Sequence, residues 1–212
     1  MKKFIAFTLA ETLIVMGIIG VVAALTLPNL NSTTGEKEKV AKVKKIYSNL
    51  NDAVGRAVAV YGPYEEWFVS DGGNETLIEN RGFERITEFI KVSKSNVSNH
   101  TAILADGTEV FISVTSCDSS RYYSGKDWCG YINVDIDGKQ KGKNLYGYDK
   151  FVFDIMGDGS VMPAGQDADN GDAPCKKVGT DLYCARWVVE NDNMDYLKCF
   201  DKLKWGQVTS CK

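Results

Sequence analysis

The sequence predicts an α+β fold: a long amino-terminal helix packed on an antiparallel sheet, followed by a disulfide-rich carboxyl-terminal region. Three observations carry this expectation. Residues 7–62 follow a helical pattern, apolar all round at first and striped later. The middle of the chain alternates apolar and polar residues around Asp-Gly turns. All six cysteines fall in the second half, where the pattern becomes irregular.

The helix comes first. "FTLAETLIVMGIIGVVAALTL" covers residues 7–27, which as a helix would span about 31 Å, enough to cross a bilayer core. Its one acid, Glu11, carries a penalty of roughly 2.5 kcal/mol if it sits at membrane depth. After Pro28 and a polar "NSTTG", apolar residues return at Val40, Val43, Tyr47, Leu50, Val54, Ala57, Val58 and Tyr61. Steps of three and four place them on one stripe, which needs a sheet to lie against. Gly62-Pro63 ends the helix. The first half of the helix is thus expected to be transmembrane and the second half amphipathic.

The sheet follows. "TAILADGTEVFISV" alternates around Asp106-Gly107, a strong hairpin signal. "YINVDID" and "KFVFDI" read as two more strands, and "GDGSVMP" turns at Asp158-Gly159 into a short last one. Between helix and sheet, Ile86, Phe89 and Ile90 in "TLIENRGFERITEFIKV" suggest a short second helix.

Composition excludes some functions. The 212 residues carry 25 basic and 28 acidic side chains, a net charge of −3, with no clustered positive surface for nucleic acid. Cys117, Cys129, Cys175, Cys184, Cys199 and Cys211 form no CxxC pair, and the single histidine, His100, is remote from them. Disulfides in an oxidising compartment are therefore preferred to zinc. Cys117 with Cys129 and Cys175 with Cys184 each enclose a short loop, and Cys199 with Cys211 follows by elimination, although six cysteines allow 15 connectivities.

The amino terminus adds a family. "MKKFIA" followed by "FTLAE" and an apolar run resembles the leader and helix of type IV pilins and of the pseudopilins of type II secretion. The resemblance is specific over residues 2–30. It implies cleavage between Ala6 and Phe7 by a prepilin peptidase and methylation of Phe7. It also gives Glu11 an assembly role, paired with the terminal amine of a neighbouring subunit. One departure is Ala6, where the family usually has glycine. The divisions implied are a leader (1–6), a membrane and assembly helix (7–30), its amphipathic continuation (31–62) and a pilin-like head with a cysteine-rich tail (63–212). The expected place is the bacterial inner membrane, crossed once, with the head outside the cytoplasm, and then a pilus or pseudopilus. The partners implied are copies of the chain or other pilins, the peptidase and methyltransferase, the membrane and its assembly platform. The alternative is a membrane-anchored ligand-binding module, adhesin-like, that is not itself a bulk filament subunit.

Chemistry is sparse. "NVDIDGKQKGKN" starts like an EF-hand loop but ends in Asn144 rather than a bidentate glutamate. Asp135, Asp137 and Asp149 are the candidate cation ligands, with calcium the candidate ion and no cofactor required. "GQDADNGD" is a second acidic loop. His100 reads as a surface residue, and no catalytic set or phosphate loop emerges, so an enzyme is not expected.

Overall fold

The computed structural model describes residues 8–67, 75–123, 125–165, 175, 178–179 and 184–211, with the backbone alone for 24–34, 65, 75–76 and 118–123. The chain divides into two units, Met1–Glu38 and Lys39–Lys212. Helix α1 runs Leu9–Tyr61.

In the first unit the side chains of residues 9–23 form an apolar run with little cover. Leu9 is 81% exposed and Leu13 66%, and seven further apolar side chains between Ile14 and Val22 are more than half exposed. The described side chains of this run cover 15 residues, about 22 Å of helix, against the ~20 residues a bilayer core requires. Among the described residues no helix is long and apolar enough to cross a membrane. The expected transmembrane first half is therefore corrected, and the single-pass inner-membrane placement that rested on it is corrected with it.

The second unit holds the α+β body. Its sheet is a six-stranded antiparallel meander in chain order: β1 (Val92–Asn96), β2 (Thr101–Leu104), β3 (Glu109–Tyr123), β4 (Lys126–Asp135), β5 (Lys150–Met156) and β6 (Val161–Pro163). The Asp106-Gly107 hairpin forms as expected. Gly107 adopts φ 85°, a conformation its missing Cβ permits, and the Thr108 N–H donates to Asp106 Oδ1 at 3.2 Å. On one face of the sheet Val110, Ile112, Val114, Ile132, Val134, Phe153 and Ile155 are buried.

Residues 39–61 of α1 belong to the same core, through Val40, Val43, Ile46, Leu50, Ala53, Val54 and Ala57. Tyr47 stacks on Phe153 at 5.7 Å, and Asn51 accepts from the Val161 N–H at 2.9 Å. Helix α2 (Glu75–Thr87) adds Ile78, Phe83 and Ile86. It lies so close to β3 that a Cβ on Gly82 would collide with Val114. Phe89 and Ile90, expected in this helix, lie just beyond it and are half-buried.

The tail is more regular than its sequence. Helix α3 (Cys184–Asn191) buries Ala185, Trp187 and Val188, and α4 (Tyr196–Cys199) buries Tyr196, whose hydroxyl donates to Gly147 O at 2.9 Å. Trp187 meets Trp205 edge-on at 4.8 Å. The cysteines pair as Cys117–Cys129, Cys175–Cys184 and Cys199–Cys211, with none left unpaired. The first staples β3 to β4, and the second ties the start of α3 against Gly147 in the β4–β5 connection.

Candidate functional site

Two groups of polar side chains stand out, one in each unit. At the start of α1, Thr8 precedes the first helical residue and Glu11 lies in the first turn. The Thr8 N–H and hydroxyl donate to Glu11 Oε2 at 2.9 and 2.8 Å, and the Glu11 N–H donates back to Thr8 Oγ1 at 3.3 Å. This is a capping box: threonine and glutamate three apart satisfy donors that the helix itself cannot. The Thr8 N–H, and after it the Thr8 hydroxyl, hold the Glu11 carboxyl below its usual range. An acid near the start of an apolar helix thus has a local reason to be there, and the positive end of the helix dipole favours it too. The pattern Thr-x-x-Glu ahead of an apolar run is itself a sequence signature of a helix start. Ala6 and Phe7, the expected processing site, lie outside the described residues.

The second group sits in the β4–β5 connection. Asp135 ends β4, Asp149 precedes β5, and Asp137 lies in the turn between them. The structure brings all three together. Asp135 and Asp137 are close enough to interact strongly, and a Cβ on Gly142 (φ 69°) would strike the carboxylates of both Asp137 and Asp149. Their roles differ. Asp149 is fully buried and accepts backbone N–H bonds from Lys143, Asn144 and Leu145, the last two at 2.9 and 2.6 Å. It therefore acts as a clamp that folds the loop, with both of its oxygens accepting backbone bonds. Asp135 Oδ1 accepts from the Gly138 N–H at 3.0 Å. By contrast, Asp135 Oδ2, Asp137 Oδ1 and Asn144 Oδ1 are buried with no hydrogen-bond donor.

Buried carboxylates facing one another cannot both stay ionised cheaply. Burial, then the neighbouring Asp137 and more weakly Asp149, push the Asp135 carboxyl up to about 6, while Lys150 Nζ, 4.0 Å away, pulls it the other way. Below about pH 6 a proton on Asp135 relieves the repulsion. A cation could do the same through Asp135, Asp137 and the Asn144 amide. However, that is short of the six to eight oxygens calcium takes, and no group of three or more His, Cys, Asp or Glu arranged for a metal is found among the described residues. "GQDADNGD" lies outside the described residues beyond Gly165.

His100 corrects its surface reading. It is buried in a left-handed turn (φ 50°), with Nε2 2.8 Å from Asn80 Oδ1 and its ring between Phe83 and Phe111. The polar "SNHTA" around it gave no hint that α2 would close over the ring.

No curated protein and no solved structure matches the chain. A family does match over residues 30–199, which exclude the exposed apolar run and include the whole sheet, α3 and α4. On that span the chain belongs to the family of unknown function DUF6613.

Proposed function

We infer that this chain is a structural subunit of a type IV pilus or type II secretion pseudopilus, cut before Phe7 by a prepilin peptidase and polymerised through the first part of α1. The carrying observation is the exposed apolar surface of residues 9–23, where nine large apolar side chains stand more than half exposed. Exposed surface of this extent marks an interaction site. Burying it between copies of the helix would stabilise an assembly by on the order of 10 kcal/mol per subunit. Apolar packing alone discriminates little between registers, so a single charged group at one end of the helix supplies direction. Glu11 is that group, and a neighbour's terminal amine is its partner.

The capping box is compatible with this role. Cleavage before Phe7 leaves Thr8 in place, and Glu11 keeps its Thr8 contacts until a partner arrives. The disulfides of the head suit an oxidising compartment and a subunit that must stay folded outside the cell.

The test uses the full chain co-expressed with a prepilin peptidase. Mass spectrometry should show loss of six residues and gain of a methyl group on Phe7, and electron microscopy should show filaments. Leu13→Glu should abolish the filaments while leaving the melting of the head unchanged. An intact leader, or filaments undiminished in Leu13→Glu, would overturn the reading.

A further inference from the structure

The face of the sheet opposite α1 carries polar and aromatic residues in register. Glu109, Phe111 and Ser113 on β3 stand across from Asp135, Asn133 and Tyr131 on β4, alternating with buried Val110, Ile112, Val134 and Ile132. Phe111, Tyr131 and Trp128 form a continuous row, with ring centroids 6.0 and 6.4 Å apart. At one end of the row is a hollow of about 240 Å³, with Phe111 and Tyr146 among its lining residues.

Three properties restrict what fits there. Its volume is below the range of drug-sized pockets, so the ligand, or the part of it that enters, is small. Its lining carries the two signs equally, Glu109 and Asp135 against Lys139 and Lys150, so neither an anion nor a cation meets only its counter-charge there. Its polar groups are available. Among the described residues the Thr101 hydroxyl, the Asn133 amide, the Tyr146 phenol and the Lys139 ammonium make no hydrogen bond within the chain. An apolar ligand would strip water from these groups and return nothing, which costs free energy for each one desolvated. A charged ligand would meet its own sign as often as the opposite one.

A neutral pyranose meets all three conditions. Its C–H face packs on an aromatic ring, and its rim of hydroxyls both donates and accepts, matching an amide, a hydroxyl, an ammonium and a carboxylate. We propose that this hollow binds a neutral sugar residue, with Phe111 and Tyr146 as the stacking surface and Thr101, Asn133, Glu109 and Lys139 as hydroxyl partners. The site lies on the face of the sheet opposite residues 39–61 of α1.

The purified full chain, in buffer and detergent without sugar groups, is titrated with methyl glucoside, methyl galactoside and methyl N-acetylglucosaminide. Tyrosine and tryptophan fluorescence should change saturably with at least one of them. Saturation-transfer NMR should show the strongest transfer to the ring C–H protons of that sugar. Phe111→Ala should weaken binding about tenfold. Because that variant disturbs the sheet, Lys139→Met, at an exposed position, carries the test independently and should weaken binding several-fold with unchanged melting. Ser113→Ala, on the same face beyond the hollow, should bind as the wild type does. No saturable binding of any of the three sugars would overturn the proposal. So would equal binding by Lys139→Met and the wild type, or tighter binding of galacturonate or glucosamine than of the neutral sugars.

Discussion

Residues 9–23 and 39–61 belong to the same helix, and both are rich in Val, Leu, Ile and Ala, yet their side chains meet opposite fates. In the first stretch Leu9, Leu13, Ile14, Met16 and Ile18 are exposed, whereas in the second Val43, Leu50, Ala53, Val54 and Ala57 are completely buried. The difference lies in how much of the helix circumference is apolar. The second stretch gathers most of its apolar residues on one stripe and puts its lysines, Asp52 and Arg56 elsewhere, so a single sheet face covers the stripe. The first is apolar all round, and one sheet face could cover only part of it. Apolar content thus predicts that a surface seeks cover, while its angular distribution decides whether the chain's own fold can supply it.

Matched truncations test this contrast with the largest expected effect. Leu50→Ala removes a completely buried side chain and should cost about 2–5 kcal/mol in chemical denaturation. Leu13→Ala, with its side chain 66% exposed, should leave denaturation within experimental error and lower filament yield instead. A comparable loss of stability from Leu13→Ala would show that the first stretch has cover within its own chain, and would end the comparison.

The surface that receives the buried stripe can be weakened instead. The Cys117–Cys129 bridge staples β3 to β4, so replacing both cysteines by serine should destabilise the head by about 2–4 kcal/mol. The filament contacts of residues 9–23 should persist wherever the head remains folded. Thiol titration of the unreduced wild-type chain should find no free thiol.

A smaller effect follows from acidity. The folded-state Asp135 carboxyl titrates near 6 and its ordinary value is 3.8, so between those values the native state holds more protons than the unfolded one. Stability should therefore fall as pH rises from about 4 to 6, with the penalty complete above that window and absent below it. Asp135→Asn should remove that slope and raise stability at neutral pH by on the order of 2 kcal/mol. Calcium offers a sharper check. If millimolar calcium raises the melting temperature at pH 7, and Asp137→Asn abolishes the rise, a cation neutralises the pair at the pH where Asp135 has lost its proton.

The smallest effect on stability is expected at Glu11, where two roles can be separated. Glu11→Gln keeps an acceptor for the Thr8 N–H and hydroxyl but loses the charge, whereas Glu11→Leu loses both. Neither should change the melting of the head. In filament yield Glu11→Leu should be lowest, and Glu11→Gln should fall between it and the wild type. If Glu11→Gln assembles as well as the wild type, the residue serves only as a helix cap. The mass of the terminus must be checked in each variant, so that failed methylation is not read as failed assembly.

The central strands were legible because buried strands alternate. Val110, Ile112 and Val114 mark β3, and Ile132 and Val134 mark β4, with no help from anything distant. β1 was not legible. "VSKSN" has no apolar alternation because it is an edge strand with four of its five residues exposed. It is a strand only because β2 offers it a ladder. α3 was hidden for a similar reason: eight residues show too few turns for a period, and its burial depends on Trp205 and the Cys175 bridge. In the carboxylate group the three positions could be read from sequence, but not their division of labour. Asp149 is a clamp because the loop aims three N–H groups at it.

By itself the sequence determined the α+β class, the stop at Gly62-Pro63, the Asp106-Gly107 hairpin and the buried stripe of residues 39–61. Each of these follows from local periodicity or turn chemistry, which acts between residues a few positions apart. The cysteine pairings were read as short loops but stood among 15 connectivities until the fold placed the sulfurs. Only the tertiary structure decided which polar groups end up buried without donors, that His100 lies under α2, and that an aromatic row and a hollow face away from the helix. Those outcomes depend on segments far apart in the chain meeting at a distance of a few ångströms, and no local pattern encodes that distance.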